Sequence, residues 1–330
     1  METNTLHESL TVIDGHCDTI LDAVGECYAD GSRPPRDLLG RGDSGHVDLP
    51  RLLEGGVSGQ FMALFTNDKF LPEVNPFTHR LLDNLEKICS RTDRMFIARS
   101  AQEIDRAKRE GKVAALVAIE GGEAIGTSLD DLRTFHRRGV RLMTLVWSRR
   151  NAIGRGVKVE GSDGLSDFGR GVVKEMERLG MIVDVSHCAD ETLLDVLAVA
   201  ERPLVASHSN SRELCPHPRN LTDALAERIA ATGGLVAVTF AGIFVDVEPE
   251  RVSIPRVVDH IARFVALIGP DHVGLGTDFD GYSDKYGMVM KDCSQLPRLT
   301  AEMLSRGMAP DTIANVMGGN WRRVIGEICG

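Results

Sequence analysis

Two short runs decide how this chain reads. They are Met181-Ile182-Val183-Asp184-Val185-Ser186, followed by His187, and Pro203-Leu204-Val205-Ala206-Ser207, followed by His208. Each is an apolar, β-branched run that ends on a histidine. A continuous apolar strand, rather than an alternating one, is what a parallel sheet covered on both faces requires. The helical stretch Glu191–Ala200 lies between the two runs and stops at the Glu201-Arg202-Pro203 break, giving a strand–helix–strand unit.

Outward from this unit the pattern recurs. Leu10–Gly15, Gly59–Phe65, Val113–Ile119, Arg141–Trp147, Leu235–Phe240 and His272–Thr277 are further strand candidates. Helical stretches separate them: Glu103–Glu110 stops at Gly111 and Phe168–Leu179 stops at Gly180. Strand alternating with helix predicts a parallel sheet, and eight such units predict closure into a (β/α)₈ barrel of the TIM type. The 330 residues are expected to form one barrel domain spanning residues 1–330, with loop insertions at Tyr28–Gly45 and Asn151–Asp167. Near the C-terminus, Pro310 is expected to open a helix that Gly318-Gly319 closes, with Asn320 capping a last short one.

Composition excludes several roles. A net charge of -10, with no run of Lys or Arg, argues against nucleic acid as partner, because backbone phosphates demand clustered positive charge. The first ten residues lack the basic and apolar segments of a secretory signal. Ile229–Val245 is uncharged, but glycines and a threonine interrupt it, so a buried strand plus loop is expected rather than a membrane span. Seven cysteines without a CxxC pair predict reduced thiols and a cytoplasmic protein.

Ligand-type residues collect at the C-terminal ends of the predicted strands, where barrel enzymes build their sites. His16 and Asp18 end the first, Glu120 the third, His187 the fifth, His208 the sixth and Asp278 the eighth. The spacing His16-Cys17-Asp18 points both outer residues to one side of a strand and turns Cys17 away. Imidazole with carboxylate suits zinc or another first-row divalent ion. Histidines on two neighbouring strands, with His-x-Asp on a third, point to one metal site. Glu120 closes a wholly apolar strand, where a carboxylate is unfavourable unless positive charge receives it. No other histidine considered is expected to be a ligand. His7, His79 and His136 should be surface residues, His46 lies in the first loop, His260 on a helix and His272 at the wrong end of its strand.

These residues sit in motifs that together resemble the membrane (renal) dipeptidase family. The motifs are Asp14-Gly15-His16-Cys17-Asp18, Ile119-Glu120-Gly121-Gly122, Asp184-Val185-Ser186-His187, Ala206-Ser207-His208-Ser209 and His217-Pro218-Arg219-Asn220-Leu221-Thr222-Asp223. Gly276-Thr277-Asp278-Phe279-Asp280-Gly281 and Gly318-Gly319-Asn320-Trp321 complete the set. The resemblance covers about Ile13 to Val324. It implies an amidohydrolase-type barrel with two zinc ions: His16 and Asp18 on one, His187 and His208 on the other, Glu120 bridging. It also implies hydrolysis of dipeptides, including those with a C-terminal D-residue, and a homodimer. On this pattern Asp278 is the expected general acid–base group, and Arg219 pairs with the substrate's C-terminal carboxylate through its planar fork. A deacylase or lactamase acting on another small amide is the alternative enzyme, and a non-catalytic metal-binding relative the alternative class.

One position departs. The family members with the best-described mechanism carry a histidine at the end of strand four that contacts the substrate carbonyl oxygen, and Trp147 stands there in Leu145-Val146-Trp147-Ser148-Arg149-Arg150-Asn151. Indole donates one hydrogen bond and cannot be protonated further, so either Trp147 or a neighbour such as Asn151 takes over, or the substrate preference differs.

Overall fold

Eight parallel strands close into a barrel in the computed structural model, which describes residues 3–27, 31–32 and 34–330. They are β1 (Val12–Cys17), β2 (Val57–Phe65), β3 (Val113–Glu120), β4 (Val140–Thr144), β5 (Ile182–Asp184), β6 (Val205–Ala206), β7 (Leu235–Val238) and β8 (Val273–Leu275). The order around the sheet is β2-β1-β8-β7-β6-β5-β4-β3, and β2 pairs with β3 from Gly59↔Ala114 to Phe65↔Glu120 to close it. An unanticipated short strand, Met95–Ala98, pairs with the first half of β3, while β4 pairs with its second half.

Alternation along β3 explains where its last residue points. Val113, Ala115, Val117 and Ile119 pack into the layer between strands and helices, while Ala114, Leu116 and Ala118 face the barrel interior with Phe61, Leu142 and Ile182. Period two therefore sends the Glu120 side chain inward. In β1 the register shifts between Asp14 and Cys17, so His16 faces the interior and Cys17 the outer layer, its Sγ 3.6 Å from Met62 Sδ. Asp18 is not a strand residue. It stands immediately ahead of the helix Thr19–Ala23 and reaches the site from that turn.

The base of the barrel is closed by the C-terminal helix Asn320–Ile328. Trp321 is fully buried, and its Nε1 donates to the Leu275 carbonyl at 2.8 Å. A β-carbon on Gly15 would lie 2.2 Å from the Trp321 ring, so this crossing requires glycine.

The strand ends differ from the expectation. The later strands stop early because side chains take over their pairing: the Ser186 and Ser207 amides both donate to Asp184 Oδ1, at 3.0 and 2.9 Å. The run Ile229–Val245 holds the end of the helix Asp223–Ala231, then β7, and then the short helix Gly242–Val245. Among the described residues no helix is long and apolar enough to cross a membrane. His7 is buried rather than at the surface. Helix Thr3–Ser9 packs on Leu296–Ser305, and the His7 ring bonds Thr300 Oγ1 at 2.8 Å and the Gly55 carbonyl at 3.0 Å. Pro310 opens a helical run as expected, and Gly318, with a non-helical φ of 169° and ψ of -16°, breaks it from the last helix, Asn320–Ile328. Asn320 is no cap; its amide donates to the carbonyls of Pro270 and Val273. In the first insertion, residues 28–30 and 33 lie outside the described residues. The second is pinned by buried Arg155, which donates to the carbonyls of Asp163 and Val159.

Candidate metal centre and substrate cavity

At the C-terminal mouth of the barrel the strand ends bring His16, Asp18, Glu120, His187, His208 and Asp278 together, all buried. Glu120 is central. Its Oε1 lies 2.9 Å from His187 Nε2 and 3.5 Å from His208 Nε2, and its Oε2 lies 3.6 Å from His16 Nε2. His16 Nε2 in turn lies 3.7 Å from Asp18 Oδ2 and 3.9 Å from Asp278 Oδ1. Two overlapping sets of donor atoms could each hold an ion: His16 with Glu120 and His208, and His16 with Asp18 and Asp278.

The rings are held from behind. His187 Nδ1 is 2.8 Å from Ser148 Oγ, and His208 Nδ1 is 2.7 Å from Ser207 Oγ, which donates to Asp184 Oδ2 at 2.6 Å. With Nδ1 protonated, each Nε2 presents its lone pair to the cluster, the arrangement by which outer hydrogen bonds fix a ligating imidazole. Asp14 plays the same part for β1 and β8, accepting from the amide and hydroxyl of Thr277, both at 2.7 Å, and from Gln60 at 2.8 Å. Asp14, Ser148, Asp184 and Ser207 were not singled out from the sequence. A charged residue inside an apolar strand is the signal that would have found Asp14 and Asp184.

Burial sets the electrostatics. It pushes His187 down to about 3, with Arg219 adding to the effect, and holds His208 well below the usual range, so both rings are neutral as ligands must be. Burial raises Asp18 to about 6, with the Glu120 charge reinforcing it. It also lifts Asp278 well above the usual carboxylate range, against the opposing pull of His16 and with the support of Asp18 and Glu120. His187 and Asp278 have φ of 66° and 65°, the left-handed region that non-glycine residues seldom occupy. Backbone held in that region clusters at functional sites. Gly281 makes room here, since a β-carbon on it would lie 2.1 Å from Asp18 Oδ2 and 2.3 Å from Asp278 Oδ1.

A metal fits this centre. Both ring nitrogens of His16 and Asp18 Oδ1 are buried without a hydrogen-bond partner among the described residues, an arrangement that is unfavourable unless something positive receives them. The side chains that would hold it are imidazoles and carboxylates converging on a shared glutamate.

Above the centre opens a cavity of about 540 Å³. Arg219 lines it and is 4 % exposed, with Nη1 donating to Ser209 Oγ and Nη2 to the His208 carbonyl, both at 2.9 Å. Among the described residues its Nε has no partner, and the bonds its guanidinium makes go to a hydroxyl and a carbonyl, not to a carboxylate. Trp147 forms part of the wall, its ring 5.7 Å from His187, and Lys158 Nζ sits 4.9 Å from the indole centre. Asn151 is not brought to the cavity. Its amide donates to the Leu145 carbonyl and accepts from the amides of Ile153 and Gly154, so it shapes its own loop. His260 bonds Ser211 and Val245 away from the cluster, and His46 bonds Asp280.

Comparison with known proteins agrees with this geometry. The family model for membrane dipeptidase, peptidase family M19, matches residues 1–329. The dipeptidase tcpJ of Claviceps purpurea (strain 20.1) is 35% identical over 311 residues, 91% of this chain and 72% of the relative. Among solved structures, the dipeptidase AC, a metallopeptidase of family M19, superposes with a TM-score of 0.88 at 31% identity, covering 98% of this chain and 99% of that one. A metallopeptidase from Rhodobacter sphaeroides, liganded with a phosphinate mimic of the dipeptide L-Ala-D-Ala, has a TM-score of 0.85 at 30% identity, covering 97% and 99%. The chain therefore belongs to the membrane dipeptidase family, peptidase family M19, and is a metallo-dipeptidase that hydrolyses dipeptides.

Proposed function

We propose that the enzyme works with two zinc ions per chain, one held by His16 and Asp18, the other by His187 and His208, with Glu120 between them. The observation that carries this is the split of the Glu120 carboxylate: one oxygen faces His16 and the other faces His187 and His208. Zinc in such a site supplies Lewis acidity and lowers the pKa of water toward neutrality.

The chain's own residues do the rest. Arg219, buried and without a carboxylate partner, receives the C-terminal carboxylate of the dipeptide, which fixes the direction in which substrate lies. Asp278 takes the proton from the attacking water and returns it to the leaving amine, a role suited to a carboxyl held above its usual range. Trp147 shapes the wall beside His187 and gives its face to the substrate where relatives place a histidine. The mimic bound by the Rhodobacter relative has a D-residue at its C-terminus, and the same tolerance is proposed for this chain. A homodimer in a cytoplasmic setting belongs to the same proposal, and sedimentation of the purified protein tests the first part.

A panel of L,L and L,D dipeptides, set beside N-acyl amino acids and lactams with zinc present, tests the substrate class. Free dipeptides, including L,D members, are expected to be the best substrates. Faster turnover of N-acyl amino acids would replace this reading with that of a deacylase.

A further inference from the structure

Among the described residues, three side chains lining the cavity carry a buried polar atom without a hydrogen-bond partner: Asp18 Oδ1, Arg219 Nε and the Tyr282 hydroxyl. The metal centre accounts for the first and the substrate carboxylate for the second. Neither the metal centre nor the substrate carboxylate uses the third. Tyr282 is 9 % exposed, and its ring is fixed by stacking on His46, with centroids 5.1 Å apart at 25°. It directly follows Gly281, the residue that lets Asp18 and Asp278 stand side by side.

The charges around the two orphaned groups differ in sign. Burial keeps the Tyr282 phenol protonated far above its usual range, and the charges of Asp278, Asp284 and Asp280 add to the effect. Arg219 and Lys158 also line the cavity, and burial, with these charges and Arg212 adding to it, holds His217 below its usual range. An anionic group is repelled at Tyr282 and drawn to Arg219. A protonated phenol oxygen without a partner has lone pairs free to accept from a cationic donor, and nearby negative charge favours that donor. A dipeptide has one group of each kind, at opposite ends.

We propose that Tyr282 receives the free α-amino group of the substrate's N-terminal residue, and that this contact makes the enzyme select dipeptides over N-acylated amino acids. The proposal rests on the dipeptidase reading and on Arg219 holding the other end. With the carboxylate at Arg219 and the amine at Tyr282, the scissile bond is presented to the metal centre in one direction only.

Tyr282→Phe keeps the ring and its stacking on His46 and removes the hydroxyl alone. The test compares alanyl-alanine as substrate with N-propionyl-alanine, the same molecule without its amino group, as a competitive inhibitor. A hydrogen bond to a charged group predicts that Tyr282→Phe raises KM for alanyl-alanine about tenfold or more. Little change in kcat is expected, with metal content unaltered, and the inhibition constant of N-propionyl-alanine should stay at its wild-type value, since the lost contact was never made to it. Equal weakening of both ligands shows a structural role and overturns the proposal, as does an unchanged KM. Failure of the wild type to cleave any dipeptide would instead sink the dipeptidase reading, so the two failures are distinct.

Discussion

Glu120 Oε1 stands 2.9 Å from His187 Nε2 while its Oε2 stands 3.6 Å from His16 Nε2, so one carboxylate addresses two sets of histidines. Glu120→Gln replaces one of those acceptor oxygens with an NH₂ donor. Metal content and dipeptide hydrolysis should fall together, with elemental analysis showing well under the wild-type equivalents. A fully loaded, inactive Glu120→Gln protein would show that the carboxylate serves the reaction rather than the metals.

Asp278→Asn separates proton transfer from metal binding. The variant should retain its metal and slow by roughly 10²–10⁴-fold, the usual worth of a general acid–base group. Near-normal kcat in a metal-replete variant assigns the proton to another residue. Loss of metal would place Asp278 among the ligands with His16 and Asp18, a grouping its position permits.

Arg219 is tested through the substrate. Truncating one partner of a desolvated charge pair costs roughly 2–5 kcal/mol, so a dipeptide amide should be a poor substrate for the wild type. Arg219→Lys should rescue only partly, because a point charge cannot reproduce the fork. Mutation and amide should be non-additive, since each removes the same interaction. Equal cleavage of amide and free dipeptide by the wild type would give Arg219 another role.

Gly281→Ala drives a methyl group into the Asp18 and Asp278 carboxylates. Activity should fall at least about tenfold while the melting temperature moves little, because the strain is confined to the rim of the cavity. Full activity would mean that the turn carrying Asp278 yields without displacing either carboxylate.

His260 gives a pH prediction away from the metals. Burial pushes it down to about 4, below its unfolded value of 6.5. A group depressed on folding contributes stability in full above its unfolded pKa and loses it as pH falls toward the folded one. Denaturant unfolding at fixed metal should therefore show wild-type stability dropping between about pH 6.5 and 4 more steeply than in His260→Gln, which has no proton to bind. Parallel profiles would show that His260 does not titrate across the unfolding transition.

Much of this was legible in the sequence where one residue broke a simple pattern. Glu120 after seven apolar residues, and His187 and His208 after β-branched runs, announce a barrel mouth because strand alternation and burial cost leave little else for them to do. What stayed hidden depends on contacts between distant segments. His7 looks like a surface residue until Thr300 and Gly55 are placed against it. The strand Met95–Ala98 is four residues between charged neighbours, too short for any periodicity to emerge. Tyr282 reads as a loop residue in Gly281-Tyr282-Ser283-Asp284, and only the folded wall shows its hydroxyl buried. Asn151 is a candidate substrate contact only because the family resemblance leaves the strand-four histidine's role open, yet its amide is consumed by its own turn.

The most direct test of the account is the metal content of protein purified without chelator, measured together with dipeptide turnover. Ligand number and type predict about two zinc equivalents per chain, loss of activity on chelation, and its return with added zinc. Active protein with metal near zero, or turnover undiminished once the metal has been removed, would contradict it.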